Sequence, residues 1–531
     1  MSPTWASLLR RPAELSISEV SLGGVSGRGE RDAVLEVFFD DRSVWAFRFL
    51  RDSEPAGSER LVPWPMVLRL RLDGAVRVRV NEHSSGAVLY DREVRFGSGQ
   101  GRIVVTDGNG RPLAVNSKGR LAAPLSQRGP QVVATVLDAA EDVLAVMRGA
   151  GVEGFLAYGT LLGAVRTGHV IAHDYDADLG YLSSREYPVD AITESYRLER
   201  AIRSRGYCIR RYSAMAFQVV LDSTDPQYPW LDVFGSLIVG DMLYVLWDVA
   251  APLRRDQVLP LGTCALEGRD FSVPRDVDAW LTATYGPSWR VPDPAFHFDT
   301  PRSTRRRLSG WFGRLNRGRH PWDLVHELVD VDRVDEEPSR FARWVDQQEP
   351  DADVVVDVGC GVGTDALSYA RSSVASKPRT VLGLDFSEVA LAKARTRAER
   401  TVAAVSFRLV NLADLRSVLV QGAVLARLPG RRVLTARFVA DTLTGAERAY
   451  LWLLASMALR GAGVMYVEVA LARDPRQPEF ASAHRLRKLP EHVLRAEVEA
   501  AGGTIHERLV SPSSPASTDP DTIRMVLSWP R

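Results

Sequence analysis

One segment, VVVDVGCGVGTD at residues 354–365, constrains the fold of this 531-residue chain more than any other. Its apolar run predicts a buried strand, and the residues that follow it predict a helix. Glycines between a strand and a helix let the backbone turn sharply and approach a ligand at the helix N-terminus. A second apolar run, TVLGLD, ends in Asp385, where an acid can accept hydrogen bonds from ribose hydroxyls. This order of elements predicts a Rossmann-like α/β domain with a nucleoside-type ligand.

The glycines are spaced G-x-G-x-G after Asp357, whereas dinucleotide dehydrogenases usually show G-x-G-x-x-G. On these residues, the region 345–531 resembles the class I S-adenosylmethionine-dependent methyltransferases, and two late apolar segments suit the reversed last hairpin of that family. The resemblance implies S-adenosylmethionine as the cofactor. By this resemblance, Gly359, Gly361 and Gly363 would pack on the methionine portion, and Asp357 would lie near its amino group. Asp385 would hold the ribose. Asn411 or Asp414 would lie by the adenine. A Rossmann fold that binds NAD, or no ligand, is the alternative.

The sequence contains only weak signals for residues on the methyl-acceptor side. Arg437 and Asp441 follow the fourth predicted strand of this domain, and acceptor-facing residues commonly lie at that edge of such a sheet. His484 is a further candidate, although a lone histidine is more often an ordinary surface or core residue. Methyl transfer from a sulfonium can proceed by proximity and in-line orientation, so the chemistry does not require a general base.

A second pattern, YGTLLGAVRTGHVIAHDYDADLG, occupies residues 158–180. Gly159–Thr160 opens a predicted helix, and three acids then follow on a predicted strand: Asp174, Asp176 and Asp178. Side chains at positions i, i+2 and i+4 of a strand share one face, and three carboxylates on one face require a strong cation. Mg²⁺ or Mn²⁺ suits oxygen ligands of this kind. Asp232, in the apolar run WLDVFGSL, is predicted on a neighbouring strand.

A metal held by carboxylates neutralises the charge that develops in phosphoryl transfer, and amides at a helix N-terminus bind phosphate. This is the pattern of the nucleotidyltransferase superfold. More narrowly, residues 130–300 resemble the LicD/fukutin family, whose Gly-Thr-Leu-Leu-Gly, Arg and Trp-Asp-x-Asp-x-Asp signature corresponds to Gly159–Gly163, Arg166 and His173–Asp178. The end of the region also matches, through Pro274, Leu281, Tyr285 and Gly286.

The LicD/fukutin resemblance implies transfer of a phosphate-linked group from a CDP-activated donor to a sugar or polyol-phosphate acceptor. It assigns metal binding to Asp176 and Asp178. Asp174 would either bind the metal as well or support the residues that bind it. Asp232 would complete the site or act as base, Arg166 would face phosphate, and Gly159 and Thr160 would bind it. His173 and Ala172 replace the family's usual Trp and Pro, which leaves the donor open. Acids on a solvated strand edge are the alternative.

The remaining sequence supplies an accessory domain and a basic segment. Residues 1–125 alternate β-branched and aromatic residues between turn signals and predict an antiparallel sandwich of about eight strands, as a sugar-binding or a plain docking module. An α+β domain is predicted at 126–301, a basic linker at 302–321 and the methyltransferase domain at 322–531. The seven arginines within 302–319 suit either a solvated linker or a short helix that contacts anionic lipid or a polyanion.

The overall composition is that of a soluble multidomain protein, with 45% apolar and 25% charged residues. A net charge of +1 gives no global attraction to DNA, and three cysteines are too few for a disulfide framework or a zinc site. The beginning of the chain lacks the apolar core of a signal peptide, so we expect a cytoplasmic enzyme that can act at the inner face of a membrane.

Together these patterns predict a bifunctional enzyme that tailors a cell-surface glycan of the teichoic-acid, capsule or lipopolysaccharide type. An RNA-modifying nucleotidyltransferase and methyltransferase is one alternative, although no RNA-binding module is recognisable. A non-catalytic scaffold that binds a polymer through its β domain is the other.

Overall fold

A computed structural model of the chain divides into two compact units, one within residues 1–314 and the other within 315–531. The structure describes residues 15–107, 110–116, 119–125, 128–171, 174–222, 228–246, 248–313, 315, 319–327, 329, 337–372, 374–401, 403–461, 463–470, 486–487, 489–511 and 521–530. His484, Ala172 and His173 lie outside these residues. No helix of the described residues is long and apolar enough to cross a membrane.

The first unit begins with a sheet-rich region. Its elements are β1 (Ser16–Ser21), β2 (Gly24–Arg28), β3 (Val34–Phe39), β4 (Arg42–Arg48), α1 (Phe49–Asp52), β5 (Glu54–Ala56), β6 (Glu59–Pro63), α2 (Met66–Arg69), β7 (Gly74–Glu82), β8 (Val88–Phe96), β9 (Ala114–Val115) and β10 (Leu121–Ala122). Two four-stranded antiparallel sheets, ordered β1-β2-β6-β5 and β4-β3-β7-β8, contribute to one apolar core. Burial alternates along β3, as expected for a strand with one face on the core.

The rest of the first unit surrounds a mixed sheet. Its elements are α3 (Pro130–Gly149), β11 (Gly154–Leu156), α4 (Tyr158–Thr167), β12 (Ala177–Leu182), α5 (Pro188–Ser204), β13 (Cys208–Arg211), β14 (Ala216–Val220), β15 (Trp230–Val239), β16 (Met242–Val245), β17 (Val249–Pro252), α6 (Arg255–Val258), β18 (Gly262–Leu266), β19 (Arg269–Val273), α7 (Val277–Tyr285) and α8 (Arg302–Phe312). The strand order is β11-β12-β15-β14-β13, and β12 and β15 pair in parallel at its centre.

One prediction about this sheet is wrong. Strand β12 begins at Ala177, so Asp174 and Asp176 precede the strand, and Asp178 is the only one of the three acids on it. The alternation D-Y-D-A-D imitates the two-residue period of a pleated strand, but the backbone bends at Asp176. The acids therefore cannot converge through a shared strand face.

The first part of the predicted basic linker is a helix of the first unit. Leu308 and Phe312 of α8 are buried in the core of the mixed sheet, and Arg307 Nη1 donates to the Tyr244 hydroxyl at 2.9 Å. Arg302, Arg305 and Arg306 are exposed. The finer domain boundaries remain predictions.

The second unit is built on a seven-stranded sheet. Its elements are α9 (Arg319–Glu327), α10 (Arg340–Gln348), β20 (Val354–Val358), α11 (Thr364–Ala370), β21 (Thr380–Asp385), α12 (Glu388–Arg400), β22 (Val405–Leu409), α13 (Leu415–Ala426), β23 (Arg432–Arg437), α14 (Gly445–Leu459), β24 (Gly463–Ala470), α15 (Glu491–Ala500), β25 (Thr504–Ser511) and β26 (Thr522–Ser528). The order is β22-β21-β20-β23-β24-β26-β25; the first five strands are parallel, and β26 is antiparallel to both neighbours. The predicted order of strand, glycines, helix, strand and acid is confirmed.

Candidate functional site

A group of three carboxylates lies on the mixed sheet of the first unit. Asp178 in β12 pairs in register with Asp232 in β15, so the two acids occupy directly opposed positions of adjacent parallel strands. Asp176, in the bend before β12, completes the group, and one carboxylate oxygen of each residue lies within 4.8 Å of the others. Asp178 and Asp232 are buried. Three carboxylate oxygens from two elements form a donor set that fits a hard divalent cation such as Mg²⁺ or Mn²⁺.

The start of helix α4 holds Asp178 in place. The Gly159 amide donates to Asp178 Oδ2 at 2.9 Å, and the Asp178 amide donates to Thr160 Oγ1 at 2.7 Å. Tyr158, which precedes them, has a φ of 42°, a region that bulky residues rarely adopt. Gly159 therefore orients the Asp178 carboxylate and Thr160 holds the Asp178 main chain, and the predicted phosphate contact of both residues stays a prediction.

Asp174 lies beside this group without belonging to the three clustered acids. Its carboxylate closes over Gly159, because a Cβ at position 159 would be 2.4 Å from Asp174 Oδ2. Its backbone carbonyl accepts a hydrogen bond of 2.6 Å from the Leu125 amide. A side chain at position 159 would displace the Asp174 carboxylate, and the predicted metal contact of Asp174 stays a prediction.

Arg166, near the end of α4, donates to the backbone carbonyls of Trp289 and Val291, the latter at 3.4 Å. Its Nε is buried without a hydrogen-bond partner. Burial lowers the pKa of this guanidinium, while the nearby Tyr285 opposes that shift. The structure thus ties Arg166 to the segment that follows α7.

Aromatic rings line the region beside the carboxylates. The Tyr158 ring lies 4.8 Å from Phe234, 6.3 Å from Tyr285 and 6.0 Å from Phe298, all edge-on. Phe296 packs on Tyr285 at 4.9 Å. Burial, with a smaller contribution from the charge of Asp178, raises the pKa of Tyr158 and Tyr285 well above its ordinary value. These rings, here called the aromatic wall, were not predicted, because they come from separate elements and follow no local sequence period.

The glycine loop of the second unit takes the conformation that its sequence requires. Gly359, Gly361 and Gly363 have φ values of 74°, 52° and 82°, which favour glycine. A Cβ at Gly359 would lie 2.4 Å from Val439 Cγ2. Asp385, the last residue of β21, accepts the Gly361 amide at 2.9 Å through Oδ2. The predicted ribose acid therefore also fixes the predicted methionine loop.

Asp357 is buried on β20, where its Oδ1 accepts a hydrogen bond from Thr435 Oγ1 at 3.0 Å. Burial, strengthened by the negative charge of Asp365, raises the pKa of Asp357 to about 8. Burial therefore favours the neutral form of this carboxyl group.

The predicted adenine residues have separate structural roles. Asn411 Oδ1 accepts the Ala413 amide at 2.9 Å, and its Nδ2 donates to the Leu315 carbonyl. Asp414 caps helix α13 by accepting the Arg416 amide at 3.0 Å. Asn411 thus lies beside the ends of the parallel strands, while Asp414 stabilises a helix.

Helix α9 reaches the same edge of the sheet and was not predicted there. Its Asp323 accepts a hydrogen bond of 2.7 Å from Ser387 Oγ, and His326 Cε1 lies 3.2 Å from the position of a Cβ at Gly361. Lys393 donates to the carbonyls of His326 and Glu327 at 2.8 and 2.9 Å. No sequence motif links this helix with the glycine loop.

On the predicted acceptor side, Arg437 ends β23 and pairs with Glu468 at 3.1 Å. The next residue, Phe438, has a φ of 55°. Asp441 is buried, and its Oδ2 accepts the Ala470 amide at 2.9 Å. Burial raises the pKa of Asp441 to about 7. Arg437 and Asp441 therefore follow β23 at the carboxyl edge, as expected, whereas His484 lies outside the described residues.

Comparison with known proteins identifies both regions. Residues 151–276 match the family model of the LicD/FKTN/FKRP nucleotidyltransferase domain, and residues 350–424 match a methyltransferase domain model. No curated protein sequence matches the chain.

Several solved structures are similar to part of the chain. Magnesium protoporphyrin IX methyltransferase from Synechocystis PCC 6803 with bound SAM is 18% identical over 39% of this chain and 80% of its own, with a TM-score of 0.25. A SAM-dependent methyltransferase from Anabaena variabilis ATCC 29413 is 16% identical over 40% of this chain and 94% of its own, with a TM-score of 0.31. A glycopeptide N-methyltransferase is 16% identical over 38% of this chain and 98% of its own, with a TM-score of 0.28.

The family models show that the chain joins a LicD-family domain to a methyltransferase domain. It is an enzyme that combines two kinds of transferase.

Proposed function

We propose that the chain modifies a cell-surface glycan or its precursor in two ways. The LicD-family domain would transfer a phosphate-linked group from a CDP-activated donor to a sugar or polyol-phosphate acceptor, with Mg²⁺ or Mn²⁺. The methyltransferase domain would methylate the same or a related acceptor with S-adenosylmethionine. The two family matches support this pairing, and the shared acceptor is inferred from the fusion of both domains in one chain.

The observation that carries the phosphotransferase proposal is the cluster of Asp176, Asp178 and Asp232 within 4.8 Å. These three side chains would hold the metal, which when bound would neutralise charge on the donor phosphates. Gly159 and Thr160 keep Asp178 in one orientation, so the ligand set is fixed before the donor arrives. The aromatic rings beside the site exclude water from one side of it.

Arg166 is the positive group that we assign to the donor phosphate. Its charge interacts with Tyr285, whose ring packs on Tyr158 beside the carboxylates. Asp232 lies opposite Asp178 and is the acid that we assign to proton acceptance from the sugar hydroxyl, in addition to its part in holding the metal.

In the second unit, the glycine loop and Asp385 would bind the cofactor and orient its methyl group. Direct main-chain contact is possible because no Cβ projects from Gly359, Gly361 or Gly363 into the loop. Asp357 would lie near the cofactor amino group, and Asn411 would lie by the adenine. Arg437 and Asp441 would face the methyl acceptor, where positioning rather than base catalysis supplies most of the acceleration.

We further propose that the acceptor is presented at the cytoplasmic face of a membrane or as a soluble polyanion. The exposed Arg302, Arg305 and Arg306 of α8 support this, because buried Leu308 and Phe312 anchor the helix while these arginines remain accessible. Basic amphipathic helices bind anionic lipid surfaces in this way.

The phosphotransferase proposal is tested with Asp178→Asn in the full chain, assayed with CDP-choline, CDP-ribitol and CDP-glycerol by the mass change of glycan acceptors. We expect at least about a 100-fold loss of Mg²⁺-dependent transfer, because a metal ligand and the partner of Gly159 change together. Exposed Asp190→Asn on α5 is the matched control and should transfer normally.

Undiminished transfer by Asp178→Asn would refute the proposed metal site. Tight, salt-dependent binding of structured RNA by the unaltered chain, without transfer to any glycan, would instead favour an RNA-modifying enzyme.

A further inference from the structure

We propose that Arg48 and Arg51 of the sheet-rich region are positioning residues for the carboxylate site. They hold residues 287–300, here called the site strap, whose aromatic rings lie beside the carboxylates. The role assigned to the strap rests on the proposed function of that site. The strap lies beyond residues 151–276, which the LicD family model matches.

The first part of the tie is a partly buried ion pair. Arg48 Nε and Nη2 donate to Asp293 Oδ2 at 3.1 and 2.6 Å, and the side chains are 32% and 18% exposed. Arg51 Nη2 donates to the Ala295 carbonyl at 2.9 Å. Asp52 accepts the Arg48 amide at 2.7 Å and pairs with Arg51 at the same distance. Asp52 therefore holds the main chain at Arg48 and the side chain of Arg51, the two residues that contact the strap.

Asp293 converts this tie into a defined turn of the strap. Its Oδ1 accepts the Ala295 amide at 3.0 Å, and its carbonyl accepts the Phe296 amide at 3.0 Å. The Asp293 carboxylate therefore accepts from the turn through Oδ1 and from Arg48 through Oδ2, so that Arg48 holds the same group that forms the turn. Arg48 thus sets the direction in which the chain enters Phe296.

The rings that follow the turn reach the carboxylate site. Phe296 packs on Tyr285 at 4.9 Å and on Phe298 at 5.1 Å, and Phe298 packs on Tyr158 at 6.0 Å. Tyr158 directly precedes Gly159, whose amide orients Asp178. A continuous series of contacts therefore leads from the sheet-rich region to a carboxylate of the proposed metal site.

The beginning of the strap is held from the opposite side. Arg166 of α4 donates to the carbonyls of Trp289 and Val291, so the strap is fastened both to the helix that orients Asp178 and to the sheet-rich region. Loss of either fastening should loosen the aromatic wall while the carboxylates keep their places on β12 and β15. We infer that the sheet-rich region affects the binding of the donor and not the binding of the metal.

The test compares Arg48→Ala with Arg77→Ala in the full chain. Arg77 forms an ion pair with Asp91 at 2.7 Å in the same region but does not contact the strap. We expect hydrogen exchange at the Ala295 and Phe296 amides to become at least about tenfold faster in Arg48→Ala only. Exchange in β12 and β15, and the affinity for Mn²⁺ alone, should stay within about twofold of the unaltered chain.

With the CDP-linked donor that proves active, the KM for the donor should rise at least about fivefold in Arg48→Ala at nearly constant kcat, because the donor binds less tightly before the reaction. Arg48→Lys keeps a positive charge beside Asp293 and leaves the Asp293 turn intact, so it should retain most of the strap protection that Arg48→Ala loses. Unchanged strap exchange in Arg48→Ala, equal loosening of β12 and β15, or the same loss of protection in Arg48→Lys as in Arg48→Ala would overturn the inference. Absence of Mn²⁺ binding by the unaltered chain would instead overturn the proposed function.

Discussion

The carboxylate site and the glycine loop use the same local contact for different purposes. In each, a glycine amide donates to an aspartate Oδ2 at 2.9 Å, from Gly159 to Asp178 in one and from Gly361 to Asp385 in the other. At the glycine loop, the acid fastens a main-chain turn that leaves room for a ligand. At the carboxylate site, the main chain fastens an acid, so that the acid faces two others.

The two units also accommodate clustered acids differently. In the second unit, burial and the neighbouring Asp365 raise the pKa of Asp357, so that a proton removes its charge. In the first unit, three acids lie within 4.8 Å in a geometry that suits a cation. A proton can thus compensate the charge of one buried acid, whereas a cation is the natural counter-charge for three carboxylates that lie together.

The largest expected effect separates the two units by their response to Mn²⁺. At a free Mn²⁺ concentration of about 100 times Kd, binding adds about 2.7 kcal/mol to stability, which corresponds to about 100-fold slower exchange of amides that open by unfolding. We expect this in β12 and β15, and no change in β20 and β21. Asp232→Asn should abolish the difference. Equal protection of both units would show that Mn²⁺ acts elsewhere.

A smaller effect concerns the proton on Asp441. Because burial raises its folded pKa to about 7, the folded state binds this proton more tightly than the unfolded chain. The resulting stability is complete below the unfolded pKa near 4 and is lost as the pH rises through 7. Denaturant unfolding of the full chain should show about 2 kcal/mol less stability at pH 7 than at pH 5 from this group.

Asp441→Asn should remove that part of the pH dependence, since the side-chain amide does not titrate in this range and its oxygen can still accept the hydrogen bond from the Ala470 amide. Asp241→Asn, at an exposed turn, is the matched control. A slope that is the same in Asp441→Asn and the unaltered chain would show that the carboxyl group is ionised throughout this range.

The smallest expected effect tests the glycine loop. Gly359→Ala places a Cβ 2.4 Å from Val439 Cγ2, whereas Gly502→Ala has the same kind of φ, 75°, and nothing within 4 Å. Both variants carry the left-handed strain of about 1–2 kcal/mol. Calorimetry should show S-adenosylmethionine binding weakened at least about tenfold, or about 1.4 kcal/mol, in Gly359→Ala alone. Equal affinities would place the cofactor away from this loop.

The parts of the two sites that local sequence determines were predictable. A strand that ends in spaced glycines has few conformations available, so the loop, the following helix and Asp385 were foreseen from composition and spacing alone. Asp178 and Asp232 were also predicted on neighbouring strands, and the register confirms it.

The remaining features depend on contacts between distant segments. The Leu125 amide holds the Asp174 carbonyl, and the chain bends at Asp176 despite an alternating pattern that favours a strand. The rings of Phe296 and Tyr158 meet only after folding, and helix α9 reaches Gly361 without any motif that links them. Local periodicity carries no information on such pairings, because it records which side chains share a face and not what that face meets.

The position of β26 between β24 and β25 has a consequence for synthesis of the chain. Strand β24 ends at Ala470, yet its partner on that side begins at Thr522. During translation, β24 therefore emerges with an unsatisfied edge that waits for more than fifty further residues, and β25 arrives before the strand it will pair with. Exposed edges of this kind recruit other chains. Expression at a lower rate, with fewer chains emerging at once, should therefore increase the yield of soluble protein, because fewer exposed edges can meet.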